Sequence, residues 1–119
     1  MEGIGIDIVE VSRFERHTGK PESRFCERVF TPYEQEYLKS KKAASMAGLY
    51  AAKEAVAKAL GMGFRGFFPN DIEIKHNELG APYVILHGKA KEQAGDARVL
   101  VSISHTKTLA TAVAQKVAV

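Results

Sequence analysis

Residues 43–60, which read Ala-Ala-Ser-Met-Ala-Gly-Leu-Tyr-Ala-Ala-Lys-Glu-Ala-Val-Ala-Lys-Ala-Leu, decide the fold. Alanine is the strongest helix former, and it recurs throughout this stretch. The sequence therefore predicts one long helix whose small side chains let its backbone pack closely against neighbouring elements. Gly61 follows directly and is a natural stop, because glycine readily adopts the left-handed conformation that ends many helices.

Shorter helices are predicted upstream of the long one. Thr31 can cap a helix, Pro32 suits the first helical position, and Glu34 sits three residues after the cap. This pattern predicts a helix that runs to about Ser40. Another short helix is predicted at residues 10–17.

Strand patterns lie on both sides of these helices. Residues 3–9, Gly-Ile-Gly-Ile-Asp-Ile-Val, predict a short buried strand whose glycines permit close backbone approach. After a loop at 61–70 the hydrophobic period changes to two. The remaining segments are strands at 71–76, 82–86, 98–105 and 109–117, a hairpin turn at 77–80 and a short helix at 89–94. This order predicts an α+β fold in a single domain, residues 1–119, with an antiparallel sheet packed against the long Ala-rich helix and the shorter helices.

Composition limits the classes of protein to which the chain could belong. It has 119 residues, of which 45% are hydrophobic and 26% charged, as in an ordinary globular domain. Cys26 is the single cysteine, which excludes an internal disulfide framework and a cysteine-cluster zinc site. The sequence has no secretory signal pattern and no apolar run long enough for a membrane helix. These features predict a cytoplasmic protein.

The cations cluster near the N-terminus, and the net charge of the chain is +3. The cluster contains Arg13, Arg16, Lys20, Arg24 and Arg28. Such a surface could attract an acidic protein, a phosphate-rich cofactor or RNA. Acidic residues are interleaved with the cations, so a solvated face with surface ion pairs explains the same pattern.

Two carboxylates stand out as candidates for chemistry. Asp7 lies inside Ile-Asp-Ile-Val, where a buried carboxylate needs a cation, a hydrogen-bond network or a metal. The alternative is that Asp7 caps a helix or pairs with Arg13. Glu54 and Lys58 lie one helical turn apart, which suits either an exposed ion pair or a site where the carboxylate holds a divalent ion and the lysine neutralises phosphate.

Two further segments could contact phosphate groups. Gly61 and Gly63 expose backbone N–H groups of the kind that cradle phosphate oxygens, although a glycine after a helix is usually only a cap. Ser102-Ile103-Ser104-His105-Thr106 places a histidine at a strand end among hydroxyls, where it could bind phosphate, shuttle a proton or be structural.

The order of these segments resembles holo-acyl-carrier-protein synthase, the small trimeric group of the phosphopantetheinyl transferases. The resemblance runs over essentially the whole chain. It is carried by Gly-Ile-Gly-Ile-Asp-Ile-Val-Glu at 3–10, Arg-Phe at 24–25 with Arg28, Phe-Thr-Pro at 30–32, Ala-Ala-Lys-Glu-Ala-Val-Ala-Lys-Ala-Leu-Gly at 51–61 and Ser-Ile-Ser-His-Thr at 102–106. It implies the 4'-phosphopantetheinyl transferase fold, a homotrimer with active sites at subunit interfaces, and a role in fatty acid biosynthesis and lipid metabolism.

The resemblance also implies residue roles. Asp7 and Glu54 are the expected ligands of a Mg²⁺ that also binds the pyrophosphate of coenzyme A. The remaining expected contacts to coenzyme A are Lys58, Gly61, Gly63, Ser104, His105 and Thr106. Arg13, Arg24 and Arg28 are expected to receive an acidic apo acyl carrier protein. Glu54, Lys58 and His105 are the expected catalytic residues, and the general base could be Glu54, a metal-bound water or His105.

Two positions depart from the family pattern. The family usually has Arg-Phe where this chain has Leu49-Tyr50, and that arginine is associated with the 3'-phosphate of coenzyme A. The usual Asn-Gly-Lys-Pro turn is replaced by residues 79–82, Leu-Gly-Ala-Pro, which removes a lysine near the expected adenine pocket. Both changes concern cofactor affinity more than the reaction.

Two other functions explain single features. A nucleic-acid-binding module would account for the basic stretch, but it usually interleaves aromatic residues with the cations. A metal-dependent phosphohydrolase could use the same carboxylates and lysine. Neither accounts for the whole ordered series of segments.

Overall fold

The structure is a computed structural model that describes residues 2–20, 23–61 and 68–118. In chain order the strands are β1 (Gly3–Glu10), β2 (Ile72–His76), β3 (Pro82–Leu86), β4 (Arg98–His105) and β5 (Leu109–Val117). The α-helices are α1 (Arg24–Val29), α2 (Pro32–Leu38), α3 (Ala43–Ala59) and α4 (Gly88–Ala94). Short 3₁₀ helices cover Val11–His17 and Pro69–Asp71.

The strands form two antiparallel sheets, so the predicted α+β class is confirmed. One sheet has the order β1-β5-β4, and the other is the hairpin β2-β3. The first and last strands therefore pair with each other, with Asp7 opposite Ala112 and Val9 opposite Ala110. No helix in the described ranges is both long and apolar enough to cross a membrane.

Helix α3 is the centre of the hydrophobic core, as its alanines predict. Most of its circumference is buried, and it packs against β1, β5 and β4. Strand β1 lies directly on the helix backbone. A Cβ atom added to Gly5 would stand 2.0 Å from the Ala55 carbonyl oxygen, and one added to Gly3 would stand 2.1 Å from that of Ala59. Only glycine fits at these two positions.

The prediction that residues 3–9 form a buried strand is wrong for one of its faces. Gly5 and Val9 are buried under α3, but the isoleucines at 4, 6 and 8 are 72%, 65% and 63% exposed in the single chain. The strand alternates as expected, so the glycines face the helix and the isoleucines point away from it. Nothing in the described part of the chain covers that outer face.

Two other local predictions need correction. The helix predicted at residues 10–17 is a 3₁₀ helix over Val11–His17. Helix α1 was not predicted, although Ser23 caps it by accepting a hydrogen bond from the Cys26 amide at 3.2 Å. The predicted loop at 61–70 lies mostly outside the described residues, since its positions 62–67 are not described.

A buried ion pair connects α2 to α3, and a hydrogen bond from the same carboxylate extends the connection to β2. The Lys53 ammonium lies 2.7 Å from a Glu34 carboxylate oxygen, and both side chains are fully buried. Glu34 also closes the predicted capping box with Thr31 and accepts the Ile74 amide at 2.7 Å. Burial raises the pKa of Glu34 and lowers that of Lys53, while each group opposes the shift of the other.

The Lys53→Met variant should be strongly destabilised, because it leaves the Glu34 carboxylate buried without its cation. The expected loss is about 3–5 kcal/mol, as for other broken buried pairs. Urea unfolding at neutral pH measures it. The double variant with Glu34→Leu should recover part of the loss, and a Lys53→Met cost below about 1 kcal/mol would contradict a stabilising role for the pair.

Candidate active site

The close packing of β1 on α3 brings Asp7 beside Lys58. The Lys58 ammonium donates to Asp7 Oδ1 at 3.2 Å and to the Ile6 carbonyl oxygen at 2.9 Å. The sequence left open whether Lys58 would pair with Glu54 and whether Asp7 would pair with Arg13. The structure pairs Lys58 with Asp7 instead, which ties the ammonium to the strand.

Glu54 lies one helical turn before Lys58 and faces the same cluster. Burial raises the pKa of Glu54, and the negative charge of Asp7 raises it further. The nearby Tyr50 hydroxyl, Lys58 and Arg13 act in the opposite direction. The carboxylates of Asp7 and Glu54 therefore repel each other in a partly desolvated site. A bound cation would offset this repulsion, so the site favours cation binding.

Arg13 and Tyr50 lie next to Glu54, on the side of the 3₁₀ helix Val11–His17. The Arg13 guanidinium lies over the Tyr50 ring, 5.3 Å from its centroid. The Tyr50 ring lies 5.3 Å from that of Phe14. Burial raises the pKa of the Tyr50 hydroxyl, and the Glu54 charge adds to the rise. Sequence reasoning treated position 50 only as a departure from the family and missed that its hydroxyl reaches Glu54.

The Asp7–Glu54 cluster (Asp7, Glu54 and Lys58) fits a divalent cation. Asp7 Oδ2 is buried and has no hydrogen-bond partner among the described residues. An unpaired buried carboxylate oxygen is costly and rare in folded proteins, so it needs an explanation. Carboxylate oxygens are the ligands that Mg²⁺ prefers, usually one or two from the protein, with water and substrate phosphate completing the shell.

His105 lies apart from this cluster within one chain. It ends β4 and is exposed, and its Nδ1 is 3.4 Å from the Thr106 carbonyl oxygen. Ser104 and Thr106 beside it are also exposed. A cavity of about 230 Å³ next to His105 is lined by Ser45, Leu49 and His76, but by neither carboxylate of the cluster. Within one chain, the cavity beside His105 is therefore distinct from the carboxylate cluster. The resemblance implied an active site at a subunit interface, and that assignment stays a prediction.

The other predicted site residues fall in three places. Gly61 follows Leu60, the C-cap of α3, and has a φ of +89°, as a glycine helix stop should. Gly63 lies outside the described residues. Arg24 and Arg28 are exposed on α1, whose Phe25 ring contacts Phe14 of the 3₁₀ helix that carries Arg13.

A family model described as the 4'-phosphopantetheinyl transferase superfamily matches residues 3–114. The chain belongs to this superfamily. The matched range includes both the Asp7–Glu54 cluster and the His105 strand end.

Relatives in this superfamily carry a common name. The holo-acyl-carrier-protein synthase of Thermoanaerobacter sp. strain X514 is 49% identical over 112 residues, covering 90% of this chain and 80% of the relative. That of Alkaliphilus oremlandii is 44% identical and covers 100% of this chain and 99% of the relative.

Solved structures of the superfamily superpose over nearly the whole chain. The Helicobacter pylori holo-acyl-carrier-protein synthase in complex with coenzyme A has a TM-score of 0.82 at 35% identity, covering 93% of this chain and 96% of that one. The Bacillus anthracis enzyme in complex with coenzyme A (3',5'-ADP) has a TM-score of 0.81 at 35% identity, covering 98% and 96%.

The Glu54→Gln variant should be more stable than the native protein at neutral pH when no divalent cation is present. Because the folded-state pKa of Glu54 is raised above its ordinary value of 4.5, its ionisation destabilises the folded state. That penalty is absent below pH 4.5 and complete once the pH exceeds the folded-state pKa. Solvent screening limits the gain to about 0.5 kcal/mol, or about 2 °C in Tm.

Thermal unfolding at fixed protein concentration, with EDTA, at pH 4 and pH 7.5 measures this difference. The matched control is Glu92→Gln on the exposed face of α4, which should leave Tm unchanged. A Glu54→Gln variant that is less stable than the native protein at pH 7.5 would show that Glu54 is not held in a repulsive site.

Proposed function

We propose that this chain transfers the 4'-phosphopantetheine group of coenzyme A to a serine of apo acyl carrier protein, and so supports fatty acid biosynthesis. The observation that carries the proposal is the Asp7–Glu54 cluster, in a chain whose relatives are named holo-acyl-carrier-protein synthases. Two facing carboxylates with a lysine suit a pyrophosphate and its cation.

The reaction is a displacement at phosphorus. The serine oxygen of the carrier protein bonds to the β-phosphorus of coenzyme A, the bond from that phosphorus to the bridging oxygen breaks, and adenosine 3',5'-bisphosphate leaves. Asp7 and Glu54 would hold Mg²⁺, which neutralises pyrophosphate charge when bound. Lys58 forms an ion pair with Asp7. Its ammonium would stabilise the charge that grows on the leaving phosphate.

The serine proton has two candidate acceptors among the side chains of this chain. Glu54 has a raised pKa and therefore accepts a proton more readily than an ordinary carboxylate. His105 is the other, since a neutral imidazole nitrogen can accept a proton. Our proposed catalytic residues are Glu54, His105 and Lys58. Our proposed contacts to coenzyme A, besides Lys58, are Gly61, Gly63, Ser104, His105 and Thr106.

The carrier protein would dock on the exposed arginines of α1 and of the first 3₁₀ helix. Arg24 and Arg28 share α1, and Phe25 on that helix lies 6.1 Å from the Phe14 ring, next to Arg13. Arg13 also reaches over Tyr50 toward Glu54. A carrier protein with an acidic surface bound there would have its serine close to the carboxylate cluster.

The proposed assembly is a homotrimer held together by the outer face of the three-stranded sheet. The register places Ile6 opposite Val113, and Val113 opposite Ser102. The apolar side chains exposed on this outer face are Ile4, Ile6, Ile8, Leu100, Leu109 and Val113. Single exposed apolar residues are normal, but a continuous row of them marks an interaction surface. Association through this face would let His105 of one subunit approach the cluster of another.

Two sequence predictions remain predictions at this stage. These are the cytoplasmic location and the assignment of residues 1–119 to a single phosphopantetheinyl transferase domain. The Mg²⁺ requirement is part of the proposal and is decided by the transfer assay.

The transfer assay incubates the protein with coenzyme A, MgCl₂ and apo acyl carrier protein, and mass spectrometry follows the carrier protein. We expect a phosphopantetheine-sized gain on one serine that EDTA abolishes. Asp7→Asn and Glu54→Gln should each reduce the rate by about 10²-fold or more, because each removes a cation ligand. The control Glu92→Gln should transfer at the native rate.

Other outcomes of this assay would overturn the proposal. Near-normal turnover of either carboxylate variant at saturating magnesium would refute the cation site. Release of free phosphopantetheine without any carrier protein would identify a phosphohydrolase. A salt-dependent gel shift with RNA, together with no binding of coenzyme A, would favour a nucleic-acid-binding module.

The assembly is tested by placing a charge in the outer sheet face. Ile6→Lys should convert a trimer into monomers in analytical ultracentrifugation, because a buried lysine in an apolar interface has no partner. The control is Leu79→Lys, since Leu79 is 94% exposed in the hairpin turn, away from this face. A native monomer with full transfer activity would refute the trimer.

A further inference from the structure

A groove lies between the hairpin β2-β3 and the three-stranded sheet, where α4 leads the chain into β4. Its volume is about 410 Å³, which is within the usual range of small-molecule sites. Residues 83–86 of β3 line one side and residues 98–100 of β4 line the other. We call it the β3–β4 groove. It is distinct from the cavity beside His105, which Pro82 and Ile103 line at the other ends of the same two strands.

Apolar side chains dominate the walls of the β3–β4 groove. Val84 and Leu86 are half-buried and pack against the hydrophobic core. Tyr83 and Leu100 at its rim are 44% and 50% exposed. Covering such surface is favourable in proportion to the apolar area removed from water. The walls therefore favour a ligand with an apolar body.

Two cations lie at the α4 end of the groove. Lys91 is in the last turn of α4 and Arg98 begins β4, and both line the groove and are exposed. Neither forms an ion pair with any residue in the described ranges. The nearby acids Glu92 and Asp96 do not line the groove, and no other described carboxylate does. One end of the groove is thus positively charged and favours an anionic group.

The groove is too narrow to admit a further strand. Within the described residues β3 pairs only with β2 and β4 only with β5, so their facing edges make no hydrogen bonds to each other. Their Cα atoms nevertheless come within 8 Å of each other. Two strands with a third between them stand roughly 9–10 Å apart. A slender unbranched chain therefore fits better than an extended peptide.

Small residues at the charged end leave room for a head group. Ala94, Gly95 and Ala97 line the groove there. A Cβ atom added to Gly95 would meet nothing within 4 Å, so the space beside this residue is open. An anionic group can therefore approach the two cations without displacing a side chain.

We propose that the β3–β4 groove binds a fatty acid as its carboxylate. The alkyl chain lies along Val84, Leu86 and Leu100, and the carboxylate lies between Lys91 and Arg98. Apolar walls, small width and a pair of cations at one end together select an unbranched amphipathic anion. The proposal does not rest on the proposed function, because no residue of the Asp7–Glu54 cluster and no proposed contact to coenzyme A lines the groove.

Decanoate is the probe, titrated into the native protein at neutral pH in its own oligomeric state. Isothermal titration calorimetry measures the affinity, and ¹H–¹⁵N NMR locates the ligand. We expect saturable binding of one decanoate per chain, with the largest shifts at Val84, Leu86 and Leu100. Octanoate should bind about tenfold more weakly, because each buried CH₂ group contributes up to about fourfold. Decanol has the same chain without the charge and should bind about tenfold more weakly than decanoate.

A double variant tests the two cations. Lys91→Gln with Arg98→Gln should weaken decanoate binding by about tenfold and leave decanol binding unchanged, since an exposed charge pair contributes up to about fivefold. The matched control is Lys89→Gln with Lys107→Gln, which makes the same change of charge at exposed positions outside the groove. The control should bind decanoate like the native protein.

Four results would overturn the proposal. The first is no saturable binding of decanoate up to about 5 mM. The second is equal affinity for decanoate and decanol, or for the double variant and its control. The third is an acidic peptide that shifts the same resonances where decanoate does not, which would identify a peptide ligand. The fourth is shifts that follow protein concentration alone, which would place a second copy of the chain in the groove. The comparison of chain lengths uses only the native protein, so misfolding of a variant cannot obscure the result.

Discussion

Strand β1 lies so close to helix α3 that no side chain fits at Gly3 or Gly5. The helix permits this approach because its facing residues, such as Ala55, are small and fully buried. The same contact places Asp7 beside Lys58 and Glu54 of the helix. Because successive side chains of a strand point to opposite faces, the isoleucines of β1 point away from the helix. The chemistry of the cluster and the apolar outer face thus follow from one backbone contact.

Much of this arrangement could be predicted from local patterns. The bounds of β3, β4 and β5, and the capping box at Thr31, were predicted correctly because period, turn residues and caps are local signals. The pairing of Lys53 with Glu34 could not be predicted, since it joins residues far apart in sequence. The prediction that the isoleucines of β1 are buried was wrong for a related reason. A strand pattern shows which side chains share a face, but not what covers that face.

The candidate site consists of two groups of residues, and the resemblance implied that they meet at a subunit interface. Asp7, Glu54 and Lys58 gather on one side of α3, whereas His105 lies by the cavity that contains His76 and Leu49. Within one chain, strand β5 lies between β1, which carries Asp7, and β4, which carries His105. The proposed trimer would bring the two groups together at a subunit interface.

Complementation between two inactive variants tests this shared site most directly. Asp7→Asn retains the His105 half and His105→Ala retains the carboxylate half, so co-expressed subunits rebuild some intact sites if each site spans two chains. An equal random mixture should recover about a quarter of the native phosphopantetheine transfer rate, since that share of interfaces pairs the two intact halves. A mixed oligomer no more active than the two variants measured separately would contradict a site shared between subunits.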